Sequence, residues 1–116
     1  MKRDMDLLRS LLLKVEEQPD GSYTTIEIPG HSESEVRYHA QLAQGAGFIE
    51  AEFMMDGFIV TGLTWAGHEF LDAAREDKLW NKAKQTVLKN AGTLTVEALK
   101  TALAMLMQQA ARGIIA

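Results

Sequence analysis

The sequence predicts an α+β fold, mostly helical, built around a single β-hairpin. Apolar residues recur at intervals of three and four over most of the chain. One stretch alone alternates apolar with polar residues on either side of Asp56-Gly57. The scale agrees: 116 residues, 47% hydrophobic and 24% charged, suit one compact domain with an aliphatic core.

The first helix runs from Asp4 to Glu17, with Met5, Leu8, Leu12 and Val15 on one stripe and Leu7, Leu11 and Leu13 widening it. Gln18-Pro19-Asp20-Gly21 ends it, because proline removes a donor and Asp-Gly favours a turn. Tyr23, Thr24, Thr25, Ile26 and Ile28 read as one short strand closed by Pro29-Gly30. A second helix is expected over residues 33–46, opened by the capping-box pair Ser32 and Glu35 and closed at Gly45-Ala46-Gly47.

The hairpin follows. Asp56-Gly57 as a two-residue turn would set Met55 opposite Phe58, Phe53 opposite Val60 and Glu52 opposite Thr61. Thr64 is placed to cap a helix through Phe70, Leu71 and Ala74, and Asp77 to cap a continuation through Leu79, Trp80, Ala83, Val87 and Leu88 that stops at Asn90-Ala91-Gly92. Both Trp65 and Trp80 are expected to anchor the core. Thr95 caps a last helix reaching about Arg112, apolar over most of its circumference.

Helix, short strand, helix, β-hairpin and further helices is the order of a winged-helix-like domain, here residues 1–92. Residues 93–116 form a C-terminal helix that either packs on the same core or makes a homodimer through Leu99, Leu103, Leu106 and Met107. In such domains the helix before the hairpin is the one presented to DNA, which makes Arg37, Tyr38, Gln41 and Gln44 the candidate duplex contacts. The helix that ordinarily supports the recognition helix is replaced by an extended segment over 22–31.

Met1-Lys2-Arg3-Asp4-Met5-Asp6-Leu7, Ile28-Pro29-Gly30-His31 before Val36-Arg37-Tyr38-His39, Gly47-Phe48-Ile49, the block Leu63 to Asp72 (LTWAGHEFLD) and Trp80-Asn81-Lys82 extend over nearly the whole chain. In these the chain resembles a small bacterial and prophage family, a domain of unknown function. The resemblance implies a winged-helix-like fold and a phage association, and brings no activity or site residues.

Charge points another way. Residues 18–62 hold Asp20, Glu27, Glu33, Glu35, Glu50, Glu52 and Asp56 against Arg37 alone, within a chain of net charge −4. The acids thus crowd the helix and wing where DNA binding would need cations. A protein-interaction module whose acidic face of Glu33, Glu35, Glu50 and Glu52 meets a basic partner is the alternative to a phage-type DNA-binding regulator. Lys78, Lys82 and Lys89 form the other cationic strip, which more often solubilises a helix than binds phosphate.

Little points to catalysis. Without cysteine there is no thiol nucleophile, disulfide or thiolate metal site. His68-Glu69 lacks the second histidine of a zinc-protease helix, and core or capping roles suit His39 and His68 better than ligation. Ser32 and Ser34 come with no nucleophile elbow, the glycines form no phosphate loop, and Glu50 and Glu52 on one strand face lack a cleft. No enzyme, metal or cofactor is expected. The charged start does not read as a signal peptide, and the apolar run from Ala102 to Met107 is far short of the ~18 residues a membrane span needs, so a cytoplasmic protein is expected.

Overall fold

The computed structural model of the chain describes residues 1–19 and 26–113. Five helices and one antiparallel hairpin follow in the order α1 (Met5–Glu17), α2 (Glu33–Gly45), β1 (Ile49–Met54), β2 (Gly57–Leu63), α3 (Trp65–Ala74), α4 (Asp77–Ala91) and α5 (Val96–Ala111). This is the α+β, mostly helical architecture the sequence predicts. Of the short strand expected at 23–28, Tyr23, Thr24 and Thr25 lie outside the described residues, and Ile26 to Ile28 are not in a strand, although both isoleucines are buried. The chain packs as two units, Met1–Leu71 and Asp72–Ala116.

In the first unit, α1 packs on α2 and β2, and α2 on β1. Met5, Leu7, Leu8, Leu11, Leu12 and Val15 of α1 are buried, as are Val36, Ala40 and Ala43 of α2. His39 is the one buried polar side chain among the described residues. Its Nε2 accepts the Asp4 backbone N–H at 2.8 Å, and its Nδ1 lies 2.8 Å from the Glu35 carbonyl. A carbonyl only accepts and an N–H only donates, so the ring carries its proton on Nδ1. Asp4 in turn caps α1, its carboxylate accepting the N–H groups of Asp6 and Leu7.

The helix ends obey local chemistry. The Ser32–Glu35 capping box is formed reciprocally at 3.1 Å on both sides. At the far end of α2, Phe48 N–H reaches Ala43 O and Gly47 N–H reaches Gln44 O, with Gly47 at φ 81°, the double closure of a Schellman motif. Thr64 caps α3 through Gly67 N–H as expected, and its hydroxyl donates to the Gly47 carbonyl. Phe48 O accepts Thr64 N–H, and Phe48 stacks on Phe70 at 4.9 Å, so the base of the hairpin is tied to both flanking helices.

The hairpin register departs from expectation. Phe53 faces Phe58, Met54 faces Gly57, Glu52 faces Ile59 and Ala51 faces Val60, with an irregularity between Glu50 and Ala51. The connection is therefore Met55-Asp56, not Asp56-Gly57. The expected pairing and the observed one place the same residues on the same face, because alternation has period two and fixes a face without fixing how far one strand slides. Gly57 keeps a negative φ, so the left-handed conformation an Asp-Gly type I′ turn demands is not adopted. What the observed register gains is a direct Phe53–Phe58 ring pair at 5.7 Å.

Two more expectations are corrected. Trp65 is 80% exposed, because the buried residues Gly67, Phe70, Leu71 and Ala74 set the inner face of α3, whereas Trp65 shares its side with exposed His68, Glu69 and Asp72. The N-cap of α4 is Glu76, whose carboxylate accepts the N–H groups of Lys78 and Leu79, and Asp77 is the first helical residue. In the second unit α4 and α5 pack on each other, with Trp80, Ala83 and Val87 of α4 and Leu99, Ala102, Leu103 and Leu106 of α5 buried. Gly92, at φ 75°, closes α4 and Thr95 caps α5.

A Cβ at Gly67 would run into the Phe48 carbonyl oxygen and sit 2.9 Å from its carbonyl carbon, both backbone atoms that cannot swing aside. Gly67→Ala should cost roughly 3 kcal/mol, read as a lowered denaturant midpoint with unchanged slope. His39→Leu should cost about 1 kcal/mol by the same measurement, since it removes the partner of the Asp4 N–H while the Glu35 carbonyl keeps its helical bond.

Candidate interaction surface

The N-terminal turn of α2 carries Glu33 and Glu35, and the tip of the hairpin carries Asp56. Between them runs a groove of about 470 Å³ lined by Ile26, Glu27, Glu33, Ser34, Arg37, Met55, Asp56, Gly57 and Phe58. Ile26 and Phe58 are buried, giving it an apolar floor, whereas Glu27, Glu33, Ser34, Met55 and Asp56 are exposed. Met55 is wholly exposed at the rim.

Arg37 is the cation of this region, and the fold occupies it. Its Nη1 donates to the Gly57 carbonyl at 2.6 Å, and its guanidinium lies 5.5 Å from the Phe53 ring centroid. The side chain thus latches the hairpin tip to α2 through a charge-assisted hydrogen bond and a cation–π contact. Tyr38 is half-buried and meets the His39 ring edge-on at 5.5 Å. Gln41 and Gln44 are exposed on one side of α2. Of the four candidate duplex contacts, then, only the two glutamines stand free of such contacts.

The four candidate acids are not brought together. Glu33 lines the groove. Glu35 closes the capping box with the Ser32 N–H and lies 3.3 Å from His31 Nδ1. Glu50 and Glu52 project from the sheet face opposite Phe53, away from the side where Arg37 crosses from α2. Glu50 lines a different, smaller groove of about 310 Å³ with Val15, Val60, Thr61 and His68. His68 is exposed, so the core role expected of it does not hold. The residues missed in the sequence are Glu27, Met55 and Asp56. Reading the turn one residue late put Met55 inside the ladder and hid its exposure.

On α5, Leu99, Leu103 and Leu106 are buried within the single chain, which leaves them unavailable to a second copy. Met107, at 42% exposure, and Met105, at 57%, are the larger apolar groups that α5 leaves open. Among the described residues no three His, Asp or Glu side chains converge as a metal site would require. No helix of the described residues is long and apolar enough to cross a membrane.

The Ser32 N–H above all, and then the His31 ring, hold the Glu35 carboxyl below its ordinary value. A carboxyl whose pKa falls on folding stabilises the fold fully above its unfolded value of about 4.3 and loses that contribution as pH drops through the lower folded value. Glu35→Gln should therefore unfold at lower denaturant than the parent at pH 6, with the difference closing as pH approaches 3.

Comparison with known proteins follows the same lines. The family model described as hypothetical protein (DUF2513) matches residues 2–93. An uncharacterized protein of Haemophilus influenzae is 41% identical over 106 residues, covering 86% of this chain and 90% of that protein. No solved structure matches. With most of its length matched, the chain belongs to the DUF2513 family of hypothetical proteins.

Proposed function

We propose that the protein is a cytoplasmic, non-enzymatic interaction module whose groove between α2 and the hairpin tip receives a basic, amphipathic segment of a partner. The observation that carries this reading is the fate of Arg37. The single Lys or Arg of residues 18–62 is held by the Gly57 carbonyl and the Phe53 ring rather than in an ion pair, so the groove it lines carries three carboxylates, of Glu27, Glu33 and Asp56, against one guanidinium. Lysine and arginine combine an apolar stem with a cationic head, which suits an apolar floor edged by carboxylates and by the Met55 thioether. Charges at such an edge steer encounter and select partners.

The competing reading is a phage-type DNA-binding regulator that docks α2 in the major groove. Gln41 and Gln44, exposed one helical turn apart on α2 and of a type that pairs with adenine edges, favour it. Against it stand Glu33 and Glu35 at the helix end where phosphate would sit.

A fluorescein-labelled arginine–leucine peptide and a labelled mixed-sequence duplex, titrated at low and near-physiological salt, separate the two. The peptide should bind, weaken with salt, and lose about tenfold in affinity on Glu33→Lys with Asp56→Lys while Gln41→Ala with Gln44→Ala leaves it unchanged. Absence of peptide binding, or duplex binding abolished by the glutamine pair, overturns the proposal.

A further inference from the structure

Lysines 78, 82 and 89 of α4 are exposed and, with Gln85 among them, recur at spacings of four, three and four. At 3.6 residues per turn these four fall within about 60° of the helix circumference and extend over roughly 16 Å. No carboxylate shares the stripe. Lys14, Arg75 and Lys100 each have an acid three residues away, at 3.8, 2.8 and 3.9 Å. Lys84, on a different side of α4, lies 5.9 Å from the Trp80 ring centroid. Lys78 and Lys82 stand instead as a like-charge pair at i,i+4, an arrangement that weakens an isolated helix. The chain thus displays a cationic stripe free of carboxylates and a groove in which three carboxylates meet one guanidinium.

We infer that the partner of the acidic groove includes a second copy of this chain, whose α4 stripe lies along it. The inference rests on the groove reading above and names its occupant. Three carboxylates, of Glu27, Glu33 and Asp56, meet three ammonium groups presented by one helix, and Gln85 supplies a neutral polar contact between them. The aliphatic stems of the lysines cover the Met55 side chain and the apolar floor, so the contact gains burial as well as charge. It joins two different surfaces and is therefore heterologous, unlike a self-matching contact through α5.

That asymmetry supplies the test. The full chain is run by size-exclusion chromatography with light scattering at low and high salt, as the parent, as Glu33→Lys with Asp56→Lys, and as Lys82→Glu with Lys89→Glu. All four positions are exposed, and circular dichroism verifies that each variant folds. The parent should associate at low salt and separate at high salt, and each variant alone should remain monomeric. An equal mixture of the two variants should associate again, because one retains a good stripe and the other a good groove. A monomeric parent at low salt, variants that still associate alone, or a mixture that stays monomeric overturns the inference. A chain that binds the arginine–leucine peptide but never self-associates loses this inference and keeps the groove reading. Duplex binding lost in Lys82→Glu with Lys89→Glu, without self-association, assigns the stripe to phosphate and overturns it as well.

Discussion

One imidazole of α2 reaches the start of α1 and meets a backbone N–H there. His39 takes the N–H of Asp4, at the mouth of α1, and gives its own proton to the carbonyl of Glu35, one turn back on α2. Asp4 then caps α1, and Glu35 closes the box that opens α2. The start of each helix is therefore fixed through a residue that the buried ring also holds. The α1–α2 core of leucines and alanines has slack in it, since apolar contacts are non-directional. The imidazole reduces that slack, because the bond within α2 orients the ring and the directional bond to the Asp4 N–H ties it to the start of α1. The hairpin inherits the result: β1 begins where α2 closes at Gly47, and α3 begins against the Phe48 carbonyl.

Charge is disposed by the same principle of local satisfaction. Lys14, Arg75 and Lys100 pair with a carboxylate three residues away, whereas Arg37, although Glu33 lies one turn back on α2, reaches across to the hairpin instead. The three acids near the hairpin tip outnumber that one guanidinium. The region whose order of elements resembles a DNA reader therefore has the electrostatics of a cation acceptor, and fold alone does not decide between them.

The sequence made the helix ends legible because capping acts over three residues. Ser32 with Glu35, Thr64, Thr95 and Gly92 all sit where a local rule places them, and the buried stripe of α1 follows from spacing alone. Sliding of the hairpin was not legible, because a two-residue slip leaves every apolar side chain on its own face; the Phe53–Phe58 pair that selects the register is a contact across strands. Trp65 misleads for a related reason. Its block reads as apolar helix, yet Gly67, without a side chain, is the residue that meets the backbone and sets which side faces inward. The acid-rich character of the candidate site was visible in composition. Its location was not, since Glu27 and Asp56 are brought to Glu33 only by tertiary packing and Arg37 is held there by a carbonyl twenty residues away.

The thioether at the tip of the hairpin has a chemical consequence of its own. Met55 is fully open to solvent, while Met5 is buried in α1. Oxidants reach the first and are kept from the second, and a sulfoxide replaces a soft apolar group by a polar, chiral one. Peroxide exposure would therefore alter the rim of the groove while leaving the α1–α2 core intact, and methionine sulfoxide reductases would restore it. The hairpin tip is in that sense the point at which the redox state of the surroundings is written on this surface.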